Sequence, residues 1–374
     1  MRIAVNTRLL VPNKMDGIGR FTYESLQQIC KSHPEVQFDF IFDRKVDQYF
    51  KFGKNVTLTT LAPQARHPLL WLIWFEFQLK NYINKNNFDL FLSPEGWIPP
   101  KLNCRSLGVI HDLNFVHHPE NIIVSHRKYL QHFFPKFAQR ASRIATVSEF
   151  SKQDIENTYN IKSSKIDVVY NGANAIFKPI DSVEQDKVRQ KYSNEKPYFI
   201  FIGTLHPRKN IDHLLLSFDQ FKSNVSSEMQ LLIVGNRKWW PKQVENTYQK
   251  MVYKDEVHFL GRQEDEELAK LLASAKALTY LPYFEGFGIP ILEAFQVNVP
   301  VITSNASSMP EVAQDAALYA NPNKVSEIAE QMEKIQLNKE LCQALIQKGQ
   351  KRAQYFSWNK TADLLWQSIL KTLD

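Results

Sequence analysis

Residues 278–293 read LTYLPYFEGFGIPILE. The first four are apolar, aromatic or β-branched and predict a strand, while Pro290 suits the first position of a helix continuing through Ile291, Leu292 and Glu293. Between them, Gly286 and Gly288 let the backbone turn tightly and approach a ligand. A helix N-terminus preceded by glycines is a seat for anions. Two carboxylates bracket it, Glu285 in the loop and Glu293 about one turn inside the helix. Their spacing suits separate roles at two ends of a ligand rather than a shared proton, although position alone also lets Glu293 do no more than complement the helix dipole.

The same rhythm of a short strand followed by a helix runs through the chain. In the first half the strands are predicted at 3–7, 37–42, 56–60, 89–92, 107–111, 143–147 and 167–170; in the second, at 198–202, 230–234, 257–260, 278–281 and 299–303. Alternation of this kind means parallel sheets covered on both faces, an α/β class. The polar stretch 177–197 reads as a junction, and the chain from about Lys324 onward reads as helical throughout. Within it, Leu364, Leu365, Trp366, Ile369 and Leu373 lie at helical spacing. The expected domains are therefore 1–180, 181–355 and a terminal helix over 356–374. Ligands in such sheets sit beyond the C-terminal ends of the strands.

At 374 residues, with 44% hydrophobic and 23% charged side chains, the chain has enough apolar material for two cores, which excludes disordered and collagen-like classes. Cys30, Cys104 and Cys342 lie far apart without metal-ligand spacing, as expected of reduced thiols. The N-terminus lacks the pattern of a signal peptide, and the most apolar window, 69–77, is too short to span a bilayer. The net charge of +7 is uneven: residues 1–180 hold 23 basic and 15 acidic side chains, and residues 181–374 hold 23 and 24. A basic first half fits either a solvated surface or an anionic partner such as a phospholipid surface, a lipid diphosphate or nucleic acid.

Three further stretches carry candidate chemistry. GTLHPRKN, 203–210, follows a predicted strand and places Arg208 and Lys209 where a cation pair would neutralise a diphosphate, although adjacent basic residues are also common on solvated loops. DGIGR, 16–20, resembles a fragment of a dinucleotide fingerprint, but Thr22 stands where the third glycine belongs. His111 and Ser148 each end a strand, a position where histidine is more often structural than catalytic.

Taken together, GIGR (17–20), HDL (111–113), TVSEFSK (146–152), YNGAN (170–174), GTLHPRKN (203–210), IVGN (233–236), HFLGR (258–262), EGFGIPILEAF (285–295) and SNASSMPEV (304–312) resemble the retaining family-four glycosyltransferases, in the family's order across nearly the whole length. The resemblance implies a GT-B fold, two Rossmann-like doubly wound domains facing across a cleft, with the C-terminal helix crossing back to the first. It implies sugar transfer from a nucleotide diphosphate donor with retention. By the same resemblance, Glu293 would bind the ribose, Glu285 the donor sugar, and Arg208 with Lys209 the departing diphosphate. The backbone of Gly286, Phe287, Gly288, Ile289 and Pro290 would face that diphosphate. Gly17 and Gly19 match the loop over it, His111 the histidine near the sugar ring and Ser148 the N-domain serine, with Gly203, Thr204, Gly235 and Arg262 on the donor side.

No Asp-x-Asp follows a strand, so no metal and no further cofactor are expected. The PRKN variant looks like that of bacterial mannosyltransferases using GDP-mannose, with UDP- and dTDP-sugars as alternatives. The expected acceptor is a glycan or polyprenyl-linked glycan made for a cell-surface polysaccharide, in the cytoplasm at the inner face of the membrane. Trp71, Trp74 and Phe75 beside Lys80 are candidates for membrane contact, although such a stripe more often forms helix core. A nucleotide-sugar epimerase of related architecture stays open, as does a non-catalytic lipid- or nucleic-acid-binding protein; no RNA-recognition motif is apparent, and no nucleic-acid partner is expected.

Overall fold

The computed structural model describes residues 1–12, 15, 17–47, 49–236 and 242–374, and the chain forms two compact units. The first comprises Met1–Gly172 together with Ser357–Asp374. Its strands are β1 (Arg2–Asn6), β2 (Gln37–Phe42), β3 (Val56–Thr60), β4 (Leu90–Ser93), β5 (Arg105–Ile110), β6 (Arg143–Thr146) and β7 (Ile166–Val168), all parallel in the order 3-2-1-4-5-6-7. Central strands such as β1 and β4 are buried on both faces, which is why they read as unbroken apolar runs rather than alternating ones.

The window 69–77 is divided: Leu69 and Phe77 at its two ends are exposed, and Trp74 and Phe75 turn inward. A helix over Pro68–Ile73 continues as a π-helical segment, Trp74–Leu79, and Trp74 and Phe75 are wholly buried with their rings edge to face at 4.7 Å. Only Trp71 of that trio is half-buried, its ring edge-on to Trp97 and Tyr129 and tilted against His126. Trp74 and Phe75 therefore cannot meet a membrane.

The C-terminal helix, Trp358–Leu373, belongs to the first unit and packs on the Gly17–Ser32 helix. Asp167 on β7 anchors it, accepting from Ser368 and, at 3.2 Å, from Lys371, while Arg143 grips the same carboxylate. Burial pushes the Asp167 carboxyl up, but these hydrogen bonds outweigh it and hold it down at about 2. A carboxyl depressed by folding stabilises above its ordinary range and loses that contribution as it is protonated. We therefore expect about 2 kcal/mol of stability to disappear between roughly pH 4 and pH 2, and Asp167→Asn to abolish this step in acid unfolding followed by circular dichroism.

The second unit, Ala173–Phe356, contains β8 (Tyr198–Ile202), β9 (Gln230–Val234), β10 (Val257–Gly261), β11 (Ala277–Tyr280), β12 (Val301–Ser304) and β13 (Leu318–Ala320), again parallel, in the order 10-9-8-11-12-13. β13 escapes sequence reading because three residues carry no periodicity. The polar stretch 177–197 holds a helix, Ser182–Ser193, whose N-cap Asp181 accepts from the Glu184 amide at 2.8 Å; only Val188 and Ser193 of it are buried, so no apolar stripe announces it. The region after Lys324 is broken into helices, with Asn338 capping Lys339–Ala353 through the Leu341 amide. Strand order reverses between β8 and β11, so the loops leaving those neighbours flank the switch point where such sheets bind ligands. No helix among the described residues is long and apolar enough to cross a membrane.

Candidate functional site

In the second unit, the two loops predicted from sequence leave adjacent strands. After β8 the chain passes Gly203 and Thr204, then makes a 3-10 turn over Pro207–Lys209, with His206 Nδ1 accepting from the Arg208 amide at 3.3 Å. Asn210 ends this turn in the left-handed conformation and starts the Ile211–Asn224 helix. After β11 the chain runs through Pro282–Phe287 to Gly288, which caps the Ile289–Gln296 helix at φ 100°. Glycine is required there by conformation; a Cβ would also lie 2.7 Å from Met309 Cε, the end of a flexible side chain that would have to shift.

Side chains then join the loops. Arg208 and Lys209 both reach Oε1 of Glu285, and Arg208 Nη1 also donates to the Phe284 carbonyl at 3.1 Å. The Tyr283 amide donates to the Arg208 carbonyl at 2.9 Å. Lys209 is additionally held by the Tyr280 hydroxyl, its ammonium 4.8 Å from that ring's centre. Lys209, Glu285 and Glu293 are all buried, with Glu293 inside the Ile289–Gln296 helix. Ser307 Oγ accepts from the Glu285 amide at 3.2 Å, and Ser308 Oγ lies 2.9 and 3.1 Å from the Glu285 and Phe287 carbonyls. These serines and Tyr280 shape the site without having been singled out in the sequence; Ser307 and Ser308 lie within a motif quoted above, but nothing in the spacing reveals their partners. Two cations beside a helix N-terminus offer a fixed positive field suited to a diphosphate. Gly235 packs against Gly203 across the ends of β9 and β8, while Arg262 follows the end of β10 and is exposed.

The first unit assembles a separate group of side chains at the C-terminal ends of its strands. His111, just past β5, has Nε2 2.8 Å from the Pro94 carbonyl and its ring edge-on to Phe21. Ser148 caps the Glu149–Tyr159 helix, accepting from the Ser151 amide at 3.0 Å, and Ser151 Oγ donates to the His111 carbonyl at 3.3 Å. Gly17 opens the Gly17–Ser32 helix, and Gly19 within it lies close beneath the Leu9 carbonyl. Asp16 lies outside the described residues. A cluster unanticipated from sequence follows β1 and β4: Arg8 forks onto Glu95, which also accepts from Asn6 at 2.6 Å. Its members are 87 residues apart, so no local spacing signals it.

Residues 15–175 match the family described as Glycosyltransferase Family 4, and residues 182–352 match Glycosyl transferases group 1. The O-antigen chain mannosyltransferase B of Escherichia coli is 30% identical over 72% of this chain and 71% of its own length. The O-antigen chain mannosyltransferase RfbU of Salmonella typhimurium is 30% identical over 82% and 84%. The chain is a family-four glycosyltransferase. Among solved structures, sucrose-phosphate synthase from Thermosynechococcus elongatus superposes with a TM-score of 0.80 at 18% identity over 99% of this chain and 98% of that one. Anabaena Alr3699/HepE in complex with UDP-glucose does so with 0.75 at 16% identity, over 99% and 100%. These likenesses establish the GT-B fold, and family membership makes this glycosyltransferase a retaining hexosyltransferase, deciding against the epimerase and non-catalytic readings. Among the described residues of the glycosyltransferase, no group of three or more His, Cys, Asp and Glu side chains is placed to hold a metal ion.

Proposed function

We propose that this glycosyltransferase moves mannose from GDP-mannose, with retention, to a glycan or polyprenyl-linked acceptor in the synthesis of a cell-surface polysaccharide. The convergence of Arg208 and Lys209 on Glu285 beside a helix N-terminus carries the reading of the donor site, and the mannosyltransferase relatives support the choice of sugar. In this reading the scissile bond joins the anomeric carbon to the diphosphate. Negative charge develops on the leaving diphosphate, where Arg208, Lys209 and the amides of Gly286–Ile289 stabilise it through fixed charges and dipoles, without a metal ion. Glu293 binds the ribose hydroxyls and Glu285 those of the donor sugar. Gly203, Thr204, Gly235 and Arg262 line the nucleotide side; His111 and Ser148 serve the sugar, and Gly17 with Gly19 cover the diphosphate. The first domain receives the acceptor, and the enzyme works in the cytoplasm, in peripheral contact with an anionic membrane through its basic first half.

Thermal-shift screening against GDP, UDP, dTDP and their sugar conjugates tests this directly, because a ligand that binds only the folded chain raises its melting temperature. We expect GDP and GDP-mannose to stabilise the wild type and to lose that effect in Glu293→Ala. A shift confined to UDP compounds would replace the proposed donor. No shift with any nucleotide, in the presence or absence of magnesium, would overturn the donor site.

A further inference from the structure

A shallow cleft of about 440 Å³, widely open to solvent, lies in the first unit near the N-terminal ends of β6 and β7, the opposite edge of the sheet from His111 and Ser148. Arg143, Lys162 and Lys165 line it together with the polar Ser142, Ser164 and Asn160, and no aspartate or glutamate does. Arg143 is fixed in place: its guanidinium holds Asp167 and donates to the Ser164 carbonyl at 3.0 Å. Lys165 is half-buried and donates to the Gln139 carbonyl at 3.1 Å, and burial without a neighbouring carboxylate pushes its ammonium pKa down. Lys162 stands exposed at the rim and makes no ion pair among the described residues.

The positive charge extends beyond the cleft. Residues 121–148 contain no aspartate or glutamate. On the Val124–Arg140 helix, Lys128, His132 and Lys136 follow one another at four-residue spacing on the exposed side, leading towards Gln139 at the cleft. Capping of helix C-termini accounts for Lys165, whose partner is a last-turn carbonyl. It does not account for Lys162, nor for an acid-free track that leads to the same place. Arg143 is balanced by Asp167, but Lys162 and Lys165 beside it have no carboxylate partner among the described residues, and Arg and Lys donors beside hydroxyls and an amide match the oxygens of a phosphate group.

We propose that this cleft is a binding site for a phosphate group, carried by a lipid head group or by a soluble phosphate ester, with Lys162, Lys165 and Arg143 as its cations. The inference is independent of the donor-site reading, and the experiment separates the two. Calorimetric titration with inorganic phosphate and with glycerol 3-phosphate is run on the wild type, on Lys162→Glu/Lys165→Gln and on Arg208→Ala/Lys209→Ala, with melting temperatures as the folding control. Lys162→Glu alone, at the exposed rim, serves if the double variant is unstable. Flotation with vesicles of phosphatidylglycerol and of phosphatidylcholine identifies the source.

Phosphate affinity is expected to fall about tenfold or more in the cleft variant and to persist in the donor-site variant. Flotation with phosphatidylglycerol that the cleft variant loses assigns a lipid head group; phosphate binding without flotation assigns a soluble ester. Equal phosphate affinity in wild type and cleft variant, or binding that vanishes in Arg208→Ala/Lys209→Ala, overturns the site and leaves Lys165 as a helix cap, Arg143 as the partner of Asp167 and Lys162 as a solvated side chain.

Discussion

Lys209→Ala is expected to lower kcat by roughly 10²–10³, the loss typical when one fixed donor to a developing oxyanion is removed. Lys209 is buried, and its ammonium is held between Glu285 and the Tyr280 hydroxyl, so its position is set before any substrate arrives. Water replacing it would have to reorient as charge develops. Glu285→Gln should lower kcat on a similar scale but with an opposite effect on product affinity. The wild-type cluster of Arg208, Lys209 and Glu285 carries one net positive charge; Lys209→Ala makes it neutral, and Glu285→Gln raises it by one. Nucleoside diphosphate should therefore bind more weakly to Lys209→Ala and at least as tightly to Glu285→Gln, although both turn over slowly. Because the two residues touch, the double variant should lose much less than the product of the single losses. If both single variants weakened nucleoside diphosphate binding equally, the cluster would be acting as a structural unit and not as a charged seat.

The parallel α/β architecture was legible because both sheets are buried on their two faces, leaving continuous apolar runs such as YFIFI in β8. Elements without that signature were not: β13 is too short, and the Ser182–Ser193 helix buries too little to show a stripe. At the donor loops, the sequence supplied the charged residues and the turn glycines, since glycine beside a helix start has a local cause. It supplied none of the long-range partners. Tyr280 meets Lys209 across 71 positions, and Ser308 meets the Glu285 carbonyl across 23, contacts that exist only because β8, β11 and β12 are neighbours. Trp74 and Phe75 show the complementary limit: an aromatic run on a helix has the same composition whether it faces lipid or core, and here packing against the sheet places these two rings inside while Phe77 stays exposed.

Gly235→Ala is expected to be the most destabilising small substitution in the second unit. The ends of β8, β9 and β10 are stitched by amides: Gly203 to the Val234 carbonyl at 2.9 Å, Gly235 to the Gly261 carbonyl at 2.8 Å and Leu205 to the Asn236 carbonyl at 3.1 Å. A Cβ built on Gly235 would fall 1.8 Å from the Gly203 carbonyl oxygen and 2.7 Å from its carbon, both backbone atoms that no rotamer change can move away. The methyl must therefore force hydrogen-bonded strand ends away from each other, at a cost of about 3 kcal/mol or more. For a unit of this size, that corresponds to a fall in Tm on the order of 6–12 °C by calorimetry. Gly17→Ala is the control, because a Cβ there meets nothing within 4 Å and the residue opens a helix, where alanine is favoured over glycine. Displacement of Gly203 would also travel five residues along the loop to Arg208, so the folded fraction of Gly235→Ala should show reduced kcat as well as reduced stability. A Tm within a degree of wild type would mean that the β8 and β9 loops can separate freely, and the preset geometry of the Arg208–Lys209–Glu285 cluster would lose its structural basis.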